Sequence, residues 1–341
     1  MFPVSYSNWS VLTVSFLVVL YLAMSGTTLC AVLYLTGAKW RNQIRNVATS
    51  LYALFPLALV LLIILLAGGT HTFAWLGAPE MPGEHHLPAW HNYPFLVARQ
   101  IIGILFVMWV FRIFIQRQKV ADRSAEDMAR FHKIACTVPY VFVLYGTMIA
   151  WDFEMTQTPQ WHSAIYGMQH FVSNFGMFLA FLVTFIFVLN TRNKLTNPVP
   201  EFVYNYLAQF MLAFTILWTY TFFAQYLTIW YGNLPAEKDR IMGMQDGDYT
   251  VLWWSMLALK FIIPFCALAI RVTRHTPQAI VAVACCMMAG TLLERYNWIA
   301  GVHEGKGSIP VLAFIVVAVV VAAIGYVLVR GSMRRDNLIR T

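Results

Sequence analysis

Apolar residues in this chain fall into nine long runs, separated by connectors that are mostly short and polar. The hydrocarbon core of a bilayer takes about 20 apolar residues in helical form. The runs predict spanning helices over 9–37, 46–69, 95–116, 131–153, 163–190, 202–230, 250–272, 276–300 and 308–330. An all-α polytopic membrane protein of about nine helices follows, and no connector is large enough to fold alone. The longest, about 70–94, contains Pro82, Pro88, Pro94, Gly77 and Gly83 and is expected to lie on the membrane face against a neighbour.

Charge alternates from one connector to the next. Lys39, Arg41 and Arg45 follow the first run, whereas the second connector carries Glu80, Glu84, His85 and His86 without Lys or Arg. Arg117, Lys119, Arg123, Arg130 and Lys133 come next, followed by a connector from Glu154 to His162 with no basic residue other than His162. Arg192 and Lys194 precede an acidic connector holding Glu237, Asp239, Asp246 and Asp248 beside Lys238 and Arg240. Arg271 and Arg274 are followed by a turn with His303, Glu304 and Lys306, and the tail carries Arg330, Arg334, Arg335 and Arg340. Lys and Arg near span ends mark the cytoplasmic side. The expected orientation is N-terminus outside and C-terminus cytoplasmic, in a bacterial cytoplasmic (inner) membrane. The stretch before the first run lacks a positive n-region, so that run is expected to act as its own insertion signal.

Composition supports the membrane reading: 60% of residues are hydrophobic and 11% charged, with a mean hydropathy of +0.64. The formal charge of +8 sits largely in the basic connectors, beside anionic lipid headgroups, and calls for no nucleic-acid partner. Cys30, Cys136, Cys266, Cys285 and Cys286 lie in or at the ends of apolar runs. With no CxxC and no CxxCH, neither covalent haem nor thiolate iron–sulfur ligation is supported. Trp75, Trp90, Trp161, Trp230, Trp253 and Trp254 fall where an aromatic belt is expected.

Ionisable residues inside a bilayer are costly and usually face the protein interior or a water-filled cavity. Lys260 lies about ten residues into the seventh run, roughly 15 Å deep at 1.5 Å per residue. His170 is deep in the fifth run. Glu294 and Arg295 lie in the outer third of the eighth, Asp152 and Glu154 at the outer end of the fourth, and Gln225 and Tyr226 in the outer third of the sixth. Tyr166, His170 and Asn174 share a helix face, as do Trp218, Thr221, Gln225 and Thr228, and Thr291, Arg295 and Trp298. If these stripes converge, they line a polar cavity in the outer half of the membrane. Each residue has a structural alternative: an interhelical hydrogen bond for His170, a fixed ion pair for Lys260 with Glu294 or Asp152, a headgroup anchor for Arg295, and ordinary solvated loop acids for Asp152 and Glu154.

Haem b needs two axial histidines deep in facing helices. His71, His85, His86, His91, His275 and His303 are in connectors, and His132 and His162 are at run ends. Only His170 is deep, so a bis-histidyl haem within this chain is not expected.

Three segments carry a resemblance: AWDFEMTQTPQWHSAIYG (150–167), FFAQYLTIWYGNLPAEKDR (222–240) and KFIIPFCALAIRVTRHTP (260–277). They resemble the NrfD-like family of quinol-interacting membrane subunits, and most closely the F subunit of alternative complex III, a quinol:electron-acceptor oxidoreductase. The LLERYNW run at 292–298 is similar to the wider family. The resemblance covers about residues 130–300. The chain departs from the family at Lys260, where His is usual, and has nine spans where about ten are expected.

The resemblance implies two four-helix bundles, over 46–190 and 202–330, with 9–37 as one extra helix. It implies no haem or iron–sulfur cluster in this chain, with quinol or quinone as its candidate ligand. The implied partners are a paralogous NrfD-like membrane subunit, an iron–sulfur protein subunit, c-type cytochrome subunits, small membrane subunits and lipid. The function it points to is support of quinol oxidation and proton translocation in respiratory or photosynthetic electron transport. His170, Lys260, Asp152, Glu154, Glu294 and Arg295 are then the expected proton path. Trp218, Tyr220, Gln225 and Tyr226 are the residues expected to flank a quinone ring. Two other classes share the intramembrane charges. A secondary transporter would have interrupted helices at matching positions in two halves, and Pro139 and Pro264 do fall inside the fourth and seventh runs. A structural anchor of a redox complex would use its polar groups for assembly alone.

Overall fold

Backbone amides in lipid have to be satisfied within their own segment, and a helix does this. The structure, a computed structural model, describes residues 6–76, 89–159, 161–303 and 307–340. Among them are nine helices long and apolar enough to cross a membrane: α1 (Tyr6–Leu35), α2 (Arg41–Ala67), α3 (Tyr93–Arg123), α4 (Ala125–Gln157), α5 (Tyr166–Thr191), α6 (Glu201–Gly232), α7 (Tyr249–Ala269), α8 (Pro277–Ala300) and α9 (Val311–Arg335). The chain is an all-α, multi-pass membrane protein. Helix ends depart from the sequence reading by no more than two turns. Gly77, Glu80, Pro82, Gly83, Glu84, His85, His86 and Pro88 of the long connector, and Glu304 and Lys306 of the last one, lie outside the described residues.

Local chemistry sets several helix ends. The Asn92 side chain accepts from the Phe95 amide at 3.0 Å to start α3, and Ser124 Oγ accepts from the Asp127 amide at 3.1 Å to start α4. Each satisfies one of the amides that a helix N-terminus leaves open. Asn233 ends α6 in the left-handed conformation, φ 48°, which Asn tolerates better than most side chains.

The helices pack as α1–α4 and α5–α8, with α9 outside both groups. The sequence reading set the first helix apart instead. The residues explain the difference. α1 carries Ser7, Ser10, Thr13, Ser25, Gly26, Thr27 and Thr28 in buried positions, and small residues let membrane helices approach closely. At Gly26 an added Cβ would lie 2.0 Å from the Ala48 carbonyl oxygen of α2. α1 therefore sits between the groups, touching α2, α4, α5, α8 and α9. α9 is Val- and Ala-rich on all sides and packs on α1 and α2.

The two ends of the bundle each gather alternate connectors. The α5–α6 connector meets the C-terminal tail through a bridge between Leu195 and Ile339, and Lys119 at the end of α3 pairs with Asp336 at 2.6 Å. At the opposite end, Tyr6 stacks on His303, and Tyr6 Oη donates to Gln157 at 2.7 Å. This second end is called the N-terminal face below.

Proline has different consequences in two spans. α4 stays helical through Pro139. α7 does not stay regular: residues Ala258–Ile262 form one π turn, with Lys260 at its centre and Pro264 just beyond. Proline has no N–H and clashes with the carbonyl four residues back, which here belongs to Lys260. π turns absorb such insertions and often occur at functional sites. α8 accommodates the widened turn at Gly290, where a Cβ would lie 2.7 Å from Lys260 Cγ and 3.0 Å from Leu259 Cβ. Gly290→Ala is expected to force α7 and α8 apart and to lower stability by about 1–3 kcal/mol, as overpacking does. A melting temperature in detergent equal to that of the unaltered chain would show that Lys260 can move aside.

Candidate functional site

The charged residues of α4, α5, α7 and α8 meet in one buried network. Arg295 on α8 holds both Glu154 oxygens from Nη1, at 2.8 and 2.6 Å, and its Nη2 lies 2.7 Å from Glu294 Oε1. Lys260 Nζ pairs with Glu294 Oε2 and donates to Ser173 Oγ at 2.5 Å. Ser173 donates in turn to Glu294 Oε2 at 2.5 Å, and Trp218 Nε1 on α6 donates to Glu294 Oε1 at 2.9 Å. The Lys260 ammonium also lies 4.7 Å from the centre of the Trp218 ring. Tyr166 donates to Glu154 Oε2. Glu154, Glu294 and Arg295 are fully buried. Two carboxylates thus face two cations, the arrangement that buried charges require, since each unpaired charge would cost several kcal/mol.

His170 extends the network to α1. Its Nε2 is 3.7 Å from Glu154 Oε1, and its Nδ1 is 3.3 Å from Tyr21 Oη. Tyr21 Oη lies within 3.4 Å of the Gly146 carbonyl oxygen of α4. The 3.7 Å step is longer than a hydrogen bond, and a small ring rotation closes it. The resulting order is Lys260, Glu294, Arg295, Glu154, His170, Tyr21. Lys260 lies eleven residues into α7 from the N-terminal face, so the chain of groups reaches roughly 16 Å inward at 1.5 Å per residue.

Asp152 belongs to a separate knot. Arg99 grips it in bidentate fashion, Nε to Oδ2 at 2.8 Å and Nη2 to Oδ1 at 2.5 Å. Gln100 donates to Oδ2 at 2.5 Å and Trp90 Nε1 to Oδ1 at 2.7 Å. The Arg99 guanidinium also stacks 4.0 Å from the Trp90 ring centre. Asp152 and Glu154 are two residues apart on one helix and so point to opposite sides of it. The structure brings His170, Lys260, Glu154, Glu294 and Arg295 together and leaves Asp152 out, tying α3 to α4. Neither acid is solvated: both are fully buried.

An aromatic wall closes the network on the N-terminal face. Trp161 lies 5.1 Å from Tyr166 and 5.9 Å from Trp298 between ring centres. Arg240, on the short helix Pro235–Gln245, places its guanidinium 4.2 Å from the Trp161 ring centre and 5.3 Å from that of Trp298. It also donates to Thr158 Oγ1 and to the Glu154 carbonyl at 3.3 Å. Burial pulls Arg240 down to about 10, which leaves it cationic at neutral pH.

Two cavities adjoin this assembly. The larger, about 290 Å³, opens beside Trp161 between the 161–165 connector, α6 and the short helix. Gln225 lines it, 5% exposed, and neither amide atom has a hydrogen-bond partner among the described residues. The smaller, about 10 Å³, lies against Lys260 among Ser173, Thr215, Trp218 and Thr291. Its volume is on the scale of a single water.

Of the polar stripes, Gln225 and Thr228 line the larger cavity and Trp218 and Thr291 the smaller, and of all their members only Thr228 is exposed. Of the residues expected around a quinone ring, Trp218 is bound to Glu294 and Gln225 faces the larger cavity. Tyr220 is 64% exposed and Tyr226 37% exposed, both on the outward side of α6. Sequence reasoning missed Arg99, Gln100, Ser173, Tyr21 and Arg240. The signal for Arg99 was present, because it is a charge inside an apolar run. Among the described residues no group of three or more His, Cys, Asp or Glu could hold a metal ion. No protein-family model matches the chain, and no curated protein matches it significantly.

Proposed function

We propose that this chain is a membrane subunit of a quinol:electron-acceptor oxidoreductase of the alternative complex III type, and that its network carries protons released by quinol oxidation. The observation that carries the reading is the buried, charge-balanced series from Lys260 to Tyr21, with the His170 imidazole between Glu154 and Tyr21. Quinol oxidation releases two protons with two electrons, and a membrane subunit that handles them needs proton-exchanging groups in series. The carboxylates, the ammonium, the imidazole and the phenol exchange protons, whereas Arg295 keeps its own and joins the two arms, Lys260 with Glu294 and Glu154 with His170 and Tyr21, as a fixed counter-charge. The segments 150–167, 222–240 and 260–277, on which the resemblance rests, contribute Glu154, Tyr166, Gln225, Arg240 and Lys260 to the network and the adjoining cavity. In this reading the N-terminal face is the outer side of a bacterial inner membrane and the tail is cytoplasmic. The iron–sulfur protein and the c-type cytochromes supply the redox centres, with a paralogous membrane subunit beside this chain.

The transporter reading is weaker for a structural reason. Secondary transporters break helices at corresponding positions of two repeats. Here α7 is interrupted by its π turn, and its counterpart in the first group of four, α3, runs as an unbroken helix to Val120.

The test is purification of the tagged chain from native membranes in mild detergent, with subunit identification, a haem spectrum and a quinol-oxidation assay. Iron–sulfur and c-haem subunits are expected to co-purify with quinol-oxidising activity. A colourless, inactive chain obtained alone from gently solubilised membranes would sink the proposal.

A further inference from the structure

We infer that the larger cavity is the seat for a lysine ammonium of a partner protein docked on the N-terminal face. Its lining is one-sided in charge: Glu237 supplies a carboxylate, and among the described residues there is neither Lys nor Arg. Gln225 adds an amide oxygen, 5% exposed and without a hydrogen-bond partner among those residues. Ser163 and Thr228 add hydroxyl oxygens on the same cavity. Thr228 donates its proton to the Ala224 carbonyl at 2.8 Å, which leaves its oxygen to accept. An ammonium has three donors and no acceptor, so it takes carboxylate, amide oxygen and hydroxyl together. A guanidinium is planar and grips best as a two-pronged fork, which single acceptors on separate elements do not offer. At about 290 Å³ the cavity is at the small end of ligand pockets and has room for one long side chain.

The surroundings point to a protein as the source of the ammonium. The short helix Pro235–Gln245 lies across the ends of the spans. Arg240 holds the Glu154 carbonyl, Asn297 of α8 donates to the Met244 carbonyl at 3.2 Å, and a Cβ at Gly243 would lie 3.4 Å from the Gly301 carbonyl oxygen. Arg240, Ile241 and Met244 are buried on its inner side. The opposite side turns away from the spans, and Met242 and the preceding Leu234 stay 55% and 56% exposed. Asp239, Asp246 and Asp248 are exposed beside them. With Glu237, four acids stand against Lys238 and Arg240. Exposed apolar side chains rimmed by acids fit a basic protein surface. Phosphatidylethanolamine is the competing source of an ammonium. Its phosphate would arrive beside Glu237 and the aspartates, with no cation in the lining to receive it.

The seat shares Trp161 with the aromatic wall that closes the buried network. A partner anchored there stands over Tyr166 and Trp298, whichever reaction the chain serves.

The test begins with native membranes treated with a water-soluble carbodiimide. The reagent joins a carboxylate to an amine in contact with it as an amide, with loss of water, and the peptides containing Glu237 are then mapped. An amide between Glu237 and a lysine of another protein is expected. It is expected to vanish in Glu237→Gln and in Thr228→Arg, an exposed position that brings a competing cation to the cavity, with both variants eluting monodisperse in mild detergent. Retention of the joined protein through purification is expected to fall about tenfold in Thr228→Arg, a modest loss for like charges set against each other. Asp239, exposed on the same helix, reports access of the reagent by its labelling with added glycinamide. Glu237 left unjoined, joined to a lysine of this chain, or joined to phosphatidylethanolamine overturns the inference, as does unchanged retention in Thr228→Arg. The functional reading fails separately: a lysine-joined partner in a preparation that oxidises no quinol keeps the seat and ends that reading.

Discussion

Arg295→Met is expected to prevent accumulation of the folded chain. Arg295 is fully buried and, among the described residues, is the one group that touches both carboxylates of the network, Glu154 through Nη1 and Glu294 through Nη2. Without it, the Glu154 carboxylate keeps hydrogen bonding from Tyr166 but pairs with no Lys or Arg among the described residues, and His170 stands 3.7 Å away. Removing one partner of a buried ion pair costs about 3–5 kcal/mol, a large part of the roughly 5–15 kcal/mol that holds a typical protein folded. Arg295→Lys is expected to recover little, because an ammonium cannot grip two carboxylates in a fork. The informative variant is Arg295→Met with Glu154→Gln, which removes one charge of each sign. It is expected to recover much of the lost yield, because Glu294 still has Lys260. The measurement is the yield of monodisperse protein in mild detergent and its melting temperature. If Arg295→Met alone melts like the unaltered chain, the carboxylates are not held as a charged pair and the network is something other than what its distances indicate.

The fold was legible because the bilayer constrains the sequence so strongly. A spanning helix must be apolar for most of its length, so each of the nine runs became a helix among the described residues. Which helix stands apart was harder to read, since hydropathy is similar for buried and lipid-facing spans. The distinction lay in the small polar residues of α1 and their absence along most of α9. The site was legible in part for the same reason. Lys260, Glu294, Arg295 and His170 stand out because a charge or imidazole inside a span is costly. Their connections were not legible, because Ser173 and Tyr21 are ordinary helix-packing residues until a partner is placed beside them. Arg240 escaped notice in a connector of mixed charge, and only the folding back of the short helix Pro235–Gln245 puts it over Trp161. Asp152 and Glu154 looked alike in sequence, yet two residues of helix send them to different partners.

Lys260 separates a relay from a fixed counter-charge. Its removal is tolerable for folding: Glu294 would keep Arg295 at 2.7 Å, Trp218 Nε1 at 2.9 Å and Ser173 Oγ at 2.5 Å. Lys260→Met is therefore expected to assemble, and its effect to fall on proton transfer. The ammonium stands between Glu294 and the small cavity lined by Ser173, Thr215 and Thr291, and beside the Ser173 hydroxyl it is the charged group that joins the two. In the reconstituted complex, proton release per quinol oxidised is expected to drop, with turnover down at least about tenfold, the low end of what a positioned proton-transfer group contributes. Lys260→Arg gives the sharper reading. It keeps the positive charge beside Glu294, and so most of the stability, but a guanidinium does not give up its proton in a protein. A relay predicts that Arg fails like Met while His, an exchanging group, restores part of the transfer. A counter-charge predicts the reverse order, with Arg the best substitute and His no better than Met. If Met, Arg and His all release protons as the unaltered complex does, Lys260 leaves the path, and the series of groups begins at Glu294.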